Sequence, residues 1–271
     1  MDSKGHRRIR GDSGVNAVER ERIGAAFGSA RDYDRHARVQ HDIAYDLAAR
    51  IAALDLPENP RILEIGCGTG FLTQALIEVG IGGNWLVTDI APAMVERCKA
   101  RLGESAGRRF AVMDGEYGLP EMGEFDLVCS SLAMQWFDDQ EMAVARMLRS
   151  VKVGGHCLFA TLGAGTFAEW RAAHEEEGLE AGTRRFAPLS ELQNMQAGAR
   201  VGDLVVQKRV ESHDDALGFL RSLRAIGAGT PQPAHRPLGP AEMRRVMARF
   251  EERGSAVTYE VVIGHFRRSV P

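Results

Sequence analysis

Two acids and a run of glycines carry the clearest chemistry in this sequence. Glu64 stands two residues ahead of Gly66-Cys67-Gly68-Thr69-Gly70, and Asp89 follows nineteen residues beyond Gly70. The run Leu63-Glu64-Ile65 leads into the glycines, and Phe71, Leu72, Ala75, Leu76 and Val79 recur after them at helical spacing, so the glycines read as a strand-to-helix turn. Positions without side chains let such a turn tighten and let a ligand approach the backbone, while the helix start presents unpaired N–H groups. This is a seat for a cofactor. Asp89 ends the apolar run Trp85-Leu86-Val87-Thr88, where a carboxylate can accept both hydroxyl protons of a ribose. The plainer reading makes it a cap for the helix that Pro92 opens.

The elements that must position these groups alternate strand and helix from Arg61 to Thr161, which is the pattern of a parallel sheet covered by helices on both faces. Strands are expected at Arg61–Ile65, Trp85–Thr88, Arg109–Met113, Phe125–Ser130 and His156–Thr161. Two more, Leu204–Val210 and Val257–His265, would bring the sheet to seven. Helical spacing also marks Val18–Ala30, Asp34–Leu54, Asp214–Ile226 and a stretch from Pro240 carrying Met243, Val246, Met247 and Phe250. The expected organisation is a basic, disordered tail over 1–18 and one domain over 19–271. Within that domain, lid helices occupy 19–56, the cofactor core 61–161, an insertion with further lid helices and the sixth strand 163–253, and the last strand 256–268.

Composition narrows the function. A formal charge of −3 over 271 residues gives no general field for nucleic acid, and no apolar run approaches the ~18 residues of a membrane span. The basic start MDSKGHRRIR leads into no apolar segment, so it does not read as a secretory signal. Cys67, Cys98, Cys129 and Cys157 are widely spaced and suggest neither a metal site nor a disulfide framework, which favours a reducing, cytoplasmic setting.

Dinucleotide folds carry G-x-G-x-x-G, whose helix start meets a pyrophosphate. Here the pattern is G-x-G-x-G preceded by an acid, and it resembles the first motif of the class I methyltransferases, whose cofactor, S-adenosylmethionine, has no phosphate to cradle. That resemblance implies cofactor contacts at Glu64, Gly66, Gly68, Gly70, Asp89, Ile90, Asp114, Gly115 and Ser130, with Asp114 accepting from the adenine amine unless it is simply a solvated loop acid. A closer resemblance extends over about residues 20 to 268. It rests on Ala25-Ala26-Phe27, Tyr33-Asp34-Arg35-His36-Ala37, Leu132-Ala133-Met134-Gln135-Trp136, Arg185-Phe186, Leu223 through Ala228 and Val257-Thr258-Tyr259-Glu260. These are similar to the malonyl-acyl carrier protein O-methyltransferases of biotin synthesis. Ser131 departs from the Asn expected there, and Lys152-Val153 from Arg-Pro.

What the resemblance implies is methyl transfer to the free carboxylate of a malonyl group on acyl carrier protein. A carboxylate is already ionised at neutral pH, so positioning matters more than a general base. Arg185, with a planar fork suited to a carboxylate, is the first candidate to hold the acceptor, against the alternative of a surface arginine. Tyr33 donates to the cofactor, donates to the substrate, or packs under the lid. Gln135 and Trp136 line the acceptor pocket or belong to the core. His36 gains a role only if the acceptor is a hydroxyl needing a base. An acidic carrier would dock on arginines of the insertion, with Arg221, Arg224, Arg244, Arg245 and Arg249 as candidates, or these form ordinary solvated faces. Two other readings share the fold: a methyltransferase for another small carboxylic acid or hydroxyl, and an assembly or binding protein that has left the chemistry behind.

Overall fold

Side chains alternate across a strand, so a sheet buried on both faces must place apolar residues at consecutive positions. Strand Arg61–Ile65 does so: Ile62 belongs to one apolar core, while Leu63 and Ile65 belong to the other. In the computed structural model, the described residues are 14–29, 33–120, 123–194, 201–229, 231–232 and 235–269. They run α1 (Gly14–Ser29), α2 (Tyr33–His36), α3 (Arg38–Ala52), β1 (Arg61–Ile65), α4 (Phe71–Glu78), β2 (Asn84–Asp89), α5 (Pro92–Leu102), β3 (Arg108–Val112) and β4 (Phe125–Ser131). A 3-10 turn at Met134–Trp136 then precedes α6 (Gln140–Ser150), β5 (Val151–Leu162), α7 (Ala168–Glu176), α8 (Leu189–Asn194), β6 (Val201–Ser212), α9 (Ala216–Ala225), α10 (Pro240–Glu252) and β7 (Ala256–Arg267).

The seven strands form one sheet in the order β3-β2-β1-β4-β5-β7-β6. The first five are parallel, and β7 runs antiparallel to both β5 and β6. The chain leaves β1 toward β2 on one side and later returns to β4 on the other, so a crevice opens at the carboxyl end of β1, where such sheets bind ligands. Ile43, Leu47, Leu72 and Leu76 from α3 and α4 fill the core on one face. Val144, Met147 and Leu148 from α6 fill the other. Beyond the parallel strands, Trp170 meets Phe219 and Phe250 edge to face, and Phe219 lies tilted at 31° to Phe250, joining α7, α9 and α10 to the core on the α3 and α4 side.

Four expectations change. First, the helix expected over Asp34–Leu54 breaks at Ala37, which has φ −95° and ψ 40° and divides α2 from α3. Second, helix α1 begins at Gly14, inside the stretch read as a tail, whereas residues 1–13 lie outside the described ones. Third, strand β5 starts at Val151 and not at His156. The Gly154-Gly155 pair looks like a turn in sequence, yet Gly154 N–H donates to Arg268 O at 2.7 Å and Arg268 N–H donates to Gly155 O at 3.1 Å. Fourth, helices α6, α7 and α8 were not expected individually; α6 is capped by Asp139, whose carboxylate accepts Met142 N–H at 2.9 Å. No helix among the described residues is long and apolar enough to cross a membrane.

Candidate active site

The glycine turn follows β1 directly. Gly66 has φ +71°, and a Cβ there would stand 2.3 Å from the Ala133 Cβ, so only glycine lets the loop after β4 close against it. Gly68 N–H donates to Asp89 Oδ2 at 2.9 Å, and Ala91 N–H donates to Asp89 Oδ1 at 2.8 Å. Asp89 therefore ties the turn after β1 to the loop after β2. Burial holds its carboxyl above the usual range, and the backbone hydrogen bonds pull the other way.

Glu64 is buried in the first cavity and accepts from Thr73 Oγ1 at 2.5 Å. Burial, with the nearby Asp89 charge, pushes its pKa up to about 7, against the Thr73 hydrogen bond. A buried acid near half-ionisation is well placed to meet a cation.

The N-terminal helices close the cavity from above. Arg20 of α1 pairs with Asp114 at 3.2 Å and with Asp138 at 3.0 Å. The break at Ala37 turns α2 toward the glycines, where Thr69 Oγ1 donates to Asp34 Oδ1 at 2.7 Å. Tyr33 is half-buried, with its hydroxyl beside Gly68; desolvation of that hydroxyl and the charges of Asp89 and Asp34 raise its phenol pKa, leaving a neutral donor at physiological pH.

The sequence candidates do not all converge. Glu64, Gly66, Gly68, Asp89, Ile90, Asp114 and Gly115 line the first cavity, as does Tyr33. Asp114 already accepts from Glu116 N–H and Tyr117 N–H through one oxygen and faces Arg20 through the other. Gly70 faces away from the cavity toward α5, where an added Cβ would meet Cys98 Sγ at 2.9 Å. Ser130 is fully buried and donates to Ile65 O at 2.9 Å, leaving the next residue, Ser131, to line the cavity.

A second, roomier cavity of about 350 Å³ shares Phe27, Tyr33, Gln40, Leu132 and Trp136 with the first. Trp136 stands edge-on to Phe27 with ring centroids 5.1 Å apart, and the Arg184 guanidinium lies 5.3 Å from the Trp136 centroid. Arg184 lines this second cavity. Arg185, the residue expected to hold the acceptor, does not: its side chain is 72% exposed and paired with Glu191. Phe186, next along the loop, is buried. Gln135 lines the second cavity, donating from Nε2 to Leu132 O at 2.7 Å, while its Oε1 has no partner among the described residues. His36 is exposed and lines neither cavity.

Sequence reasoning missed Arg184, His174, His235 and Tyr259 on the second cavity, while Leu132, in the loop after β4 expected to floor the site, stands between the two. Leu132 carries φ +52°, a strained conformation for a leucine that turns the chain from β4 into the 3-10 segment. Arg245 and Arg249 of the expected carrier dock are engaged with Glu177, at 2.8 and 2.9 Å.

A mostly parallel sheet with one antiparallel strand and its crevice at the glycine turn after β1 defines a class I, S-adenosylmethionine-dependent methyltransferase. Residues 63–159 match the family model described as a methyltransferase domain. Among solved structures, the YcgJ protein of Bacillus subtilis superposes with a TM-score of 0.59 at 17% identity, covering 83% of this chain and 98% of that one. Phosphoethanolamine N-methyltransferase 2 of Haemonchus contortus, solved with S-adenosyl-L-methionine, gives 0.56 at 16% identity over 90% of this chain and 57% of that one. At these identities the likeness shows the fold alone.

Sequence relatives go further. The malonyl-[acyl-carrier protein] O-methyltransferase of Magnetococcus marinus is 43% identical over 251 residues, 92% of this chain and 93% of that protein. The biotin biosynthesis bifunctional protein BioCD of Bordetella avium is 42% identical over 247 residues; the chain spans 91% of itself and about half, 52%, of that longer protein. The chain belongs to the malonyl-[acyl-carrier protein] O-methyltransferase family.

Proposed function

We propose that this chain methylates the free carboxylate of a malonyl group carried on acyl carrier protein, using S-adenosylmethionine, in the cytoplasm. The observation that carries the reading is the second cavity, which meets the first at Tyr33, Leu132 and Trp136 and holds Arg184 against that junction. A guanidinium beside the aromatic wall of Phe27 and Trp136 suits a carboxylate taken out of water. No base is required, and the exposed His36 fits a carboxylate acceptor better than a hydroxyl. Four buried, unpaired cysteines fit a reducing compartment.

The residues present suit the cofactor. Asp89 keeps lone pairs for ribose hydroxyls beyond the two backbone N–H groups it accepts, the bare turn at Gly66 and Gly68 admits a close ligand, and Glu64 offers a carboxylate to a cationic group. When bound, the cofactor would supply an electrophilic methyl group on its sulfonium, with a neutral thioether as the leaving group. Arg184 and Tyr33 orient the acceptor. Trp136, Phe27 and Leu132 exclude water around it, which strengthens every electrostatic contact inside.

Incubating malonyl-acyl carrier protein with this chain and the cofactor should add one methyl group by intact-mass spectrometry, and the product should be an ester cleaved by mild base. An unchanged malonyl-carrier mass beside methylated free dicarboxylates would assign the chain a different acceptor.

Glu64 gives a second test. Ionised Glu64 favours a cation, so affinity for S-adenosylmethionine should rise as the pH passes from 6 to 8 through its pKa of about 7, with proton release on binding. The Glu64→Gln variant should lose this dependence; a wild-type slope of zero would remove Glu64 from contact with the cofactor's charge. Binding is the proper readout, because stability mixes opposite signs. The raised pKa of Glu64 stabilises the ligand-free fold below about 4.5 and loses that contribution as the pH rises through about 7. The lowered pKa values of buried His156 and His174 and of half-buried His213 and His265 contribute above the ordinary 6.5 and fail as the pH falls.

A further inference from the structure

Thr73 is the third residue of α4, fully buried, and its hydroxyl is committed to Glu64. A threonine hydroxyl inside a helix can return to the carbonyl one turn back. That of Thr73 has a single proton to give, and at 2.5 Å it gives it to Glu64 Oε2. Cys98 Sγ, 3.9 Å from the same hydroxyl oxygen, is then left as the donor on its other side. Thr73 also carries one of the first N–H groups of α4, which lack partners within the helix, and this backbone group hydrogen-bonds the Glu64 carboxyl as well. Glu64 thus meets the positive end of α4 twice through one residue.

Beyond Thr73, burial and Asp89 act on Glu64, and both oppose its charge. Around it, the Cys67 thiol is held well above its usual range by its hydrogen bond with Cys98 and by burial, and burial does the same to Cys129 of β4, so both stay neutral. Tyr33 is a neutral phenol. Arg20 also lines the first cavity, but its guanidinium is engaged by Asp114 and Asp138. We propose that Thr73 is a positioning residue for cofactor binding, whose hydroxyl fixes the Glu64 carboxylate in the wall of the first cavity and keeps it ionised for the cofactor's cationic end. The inference rests on the contact between Glu64 and the cofactor's charge set out above, and it holds whichever acceptor is methylated. A hydroxyl that donates favours the charged carboxylate, so losing it leaves Glu64 protonated over a wider range of pH.

Thr73→Val keeps the shape of the side chain and the backbone N–H but removes the hydroxyl, and Thr73→Ser keeps the hydroxyl. In ligand-free protein carrying ¹³C at its glutamate side-chain carboxyls, the Glu64 resonance is the one that Glu64→Gln removes. Its titration midpoint, about 7 in the parent, should rise by about one unit in Thr73→Val, the scale of a hydrogen bond to a charged group. Thr73→Ser should restore it. Calorimetry with S-adenosylmethionine should follow the same shift. The ratio of Kd in Thr73→Val to Kd in the parent, in which the ligand's own ionisation cancels, should be about tenfold at pH 6, about fivefold at pH 7 and close to one at pH 9. A variant that had merely loosened α4 would change Kd by one factor at every pH. Thr73→Ala carries the same comparison should the valine variant not fold. An unmoved Glu64 titration overturns the proposal, and the contact of Glu64 with the cofactor still stands if the parent's affinity keeps its pH dependence. A titration that moves while the Kd ratio stays flat overturns both, because Thr73 would then tune a carboxylate that the cofactor does not feel.

Discussion

Replacing Arg184 by Gln is expected to lower kcat/KM for malonyl thioesters by roughly a hundredfold or more, while Arg185→Gln stays within about twofold of the parent. Arg184 faces the cavity and stacks against Trp136, whereas Arg185 is largely solvated beside Glu191. A carboxylate brought into the apolar junction without its counter-charge bears the full cost of desolvation. A displacement of about 1 Å from the in-line pose costs on the order of a hundredfold by itself. Arg184→Lys keeps the charge but not the planar fork that stacks on the indole, so it should recover only part of the loss. Because Arg184 does not line the first cavity, cofactor affinity should change little in either variant. Steady-state kinetics at saturating cofactor, with calorimetry for the cofactor alone, separate the two. Equal, small effects at positions 184 and 185 would take Arg184 out of the acceptor site and return the search to Tyr33 and its neighbour Arg35.

The one-position difference between Arg184 and Arg185 marks where sequence reasoning stops. Local signals survived: the strand leading to Glu64, the glycine turn and Asp89 lie within about thirty residues, and each is specified by its neighbours along the chain. All seven strands were legible, because burial on both faces leaves apolar runs that turns punctuate. Side-chain direction was harder. Within β4, alternation sends Ser130 toward the Ile65 carbonyl and Ser131 into the cavity, and a shift of one residue exchanges their roles. In the loop before α8 there is no alternation to count, so no pattern distinguishes Arg184, which lines the cavity, from exposed Arg185. The apolar spacing of α3 concealed the break at Ala37 that aims Asp34 and Tyr33 at the glycine turn. Nor does any pattern announce a leucine at φ +52°, since the strain at Leu132 is imposed by strands and helices distant in sequence.

Asp89 should show the largest effect on the cofactor itself, and its two backbone contacts make the choice of substitution informative. Asp89→Ala removes the ribose acceptor and also frees Gly68 N–H and Ala91 N–H, at 2.9 and 2.8 Å in the parent protein. Losing hydrogen bonds to a charged group predicts a cost of about 1.5–3 kcal/mol in S-adenosylhomocysteine affinity, roughly tenfold to a hundredfold or somewhat more. Asp89→Asn, nearly identical in shape, should do no better. Both carboxylate oxygens already accept a backbone N–H, so one of them would become an NH₂ facing a donor, and a buried N–H would lose its partner. Thermal melts of the ligand-free variants report the damage to the turn, and titration with a 2′,3′-dideoxy analogue of S-adenosylhomocysteine isolates the ribose contact. Parent protein should prefer the natural ligand over the analogue, and Asp89→Ala should bind the two alike. If the preference for ribose persists in Asp89→Ala, the carboxylate serves only to pin the glycine turn to the loop after β2, and another group must hold the sugar. If Asp89→Asn retains affinity within about threefold of the parent, the backbone contacts tolerate an amide and the negative charge is not what the site requires.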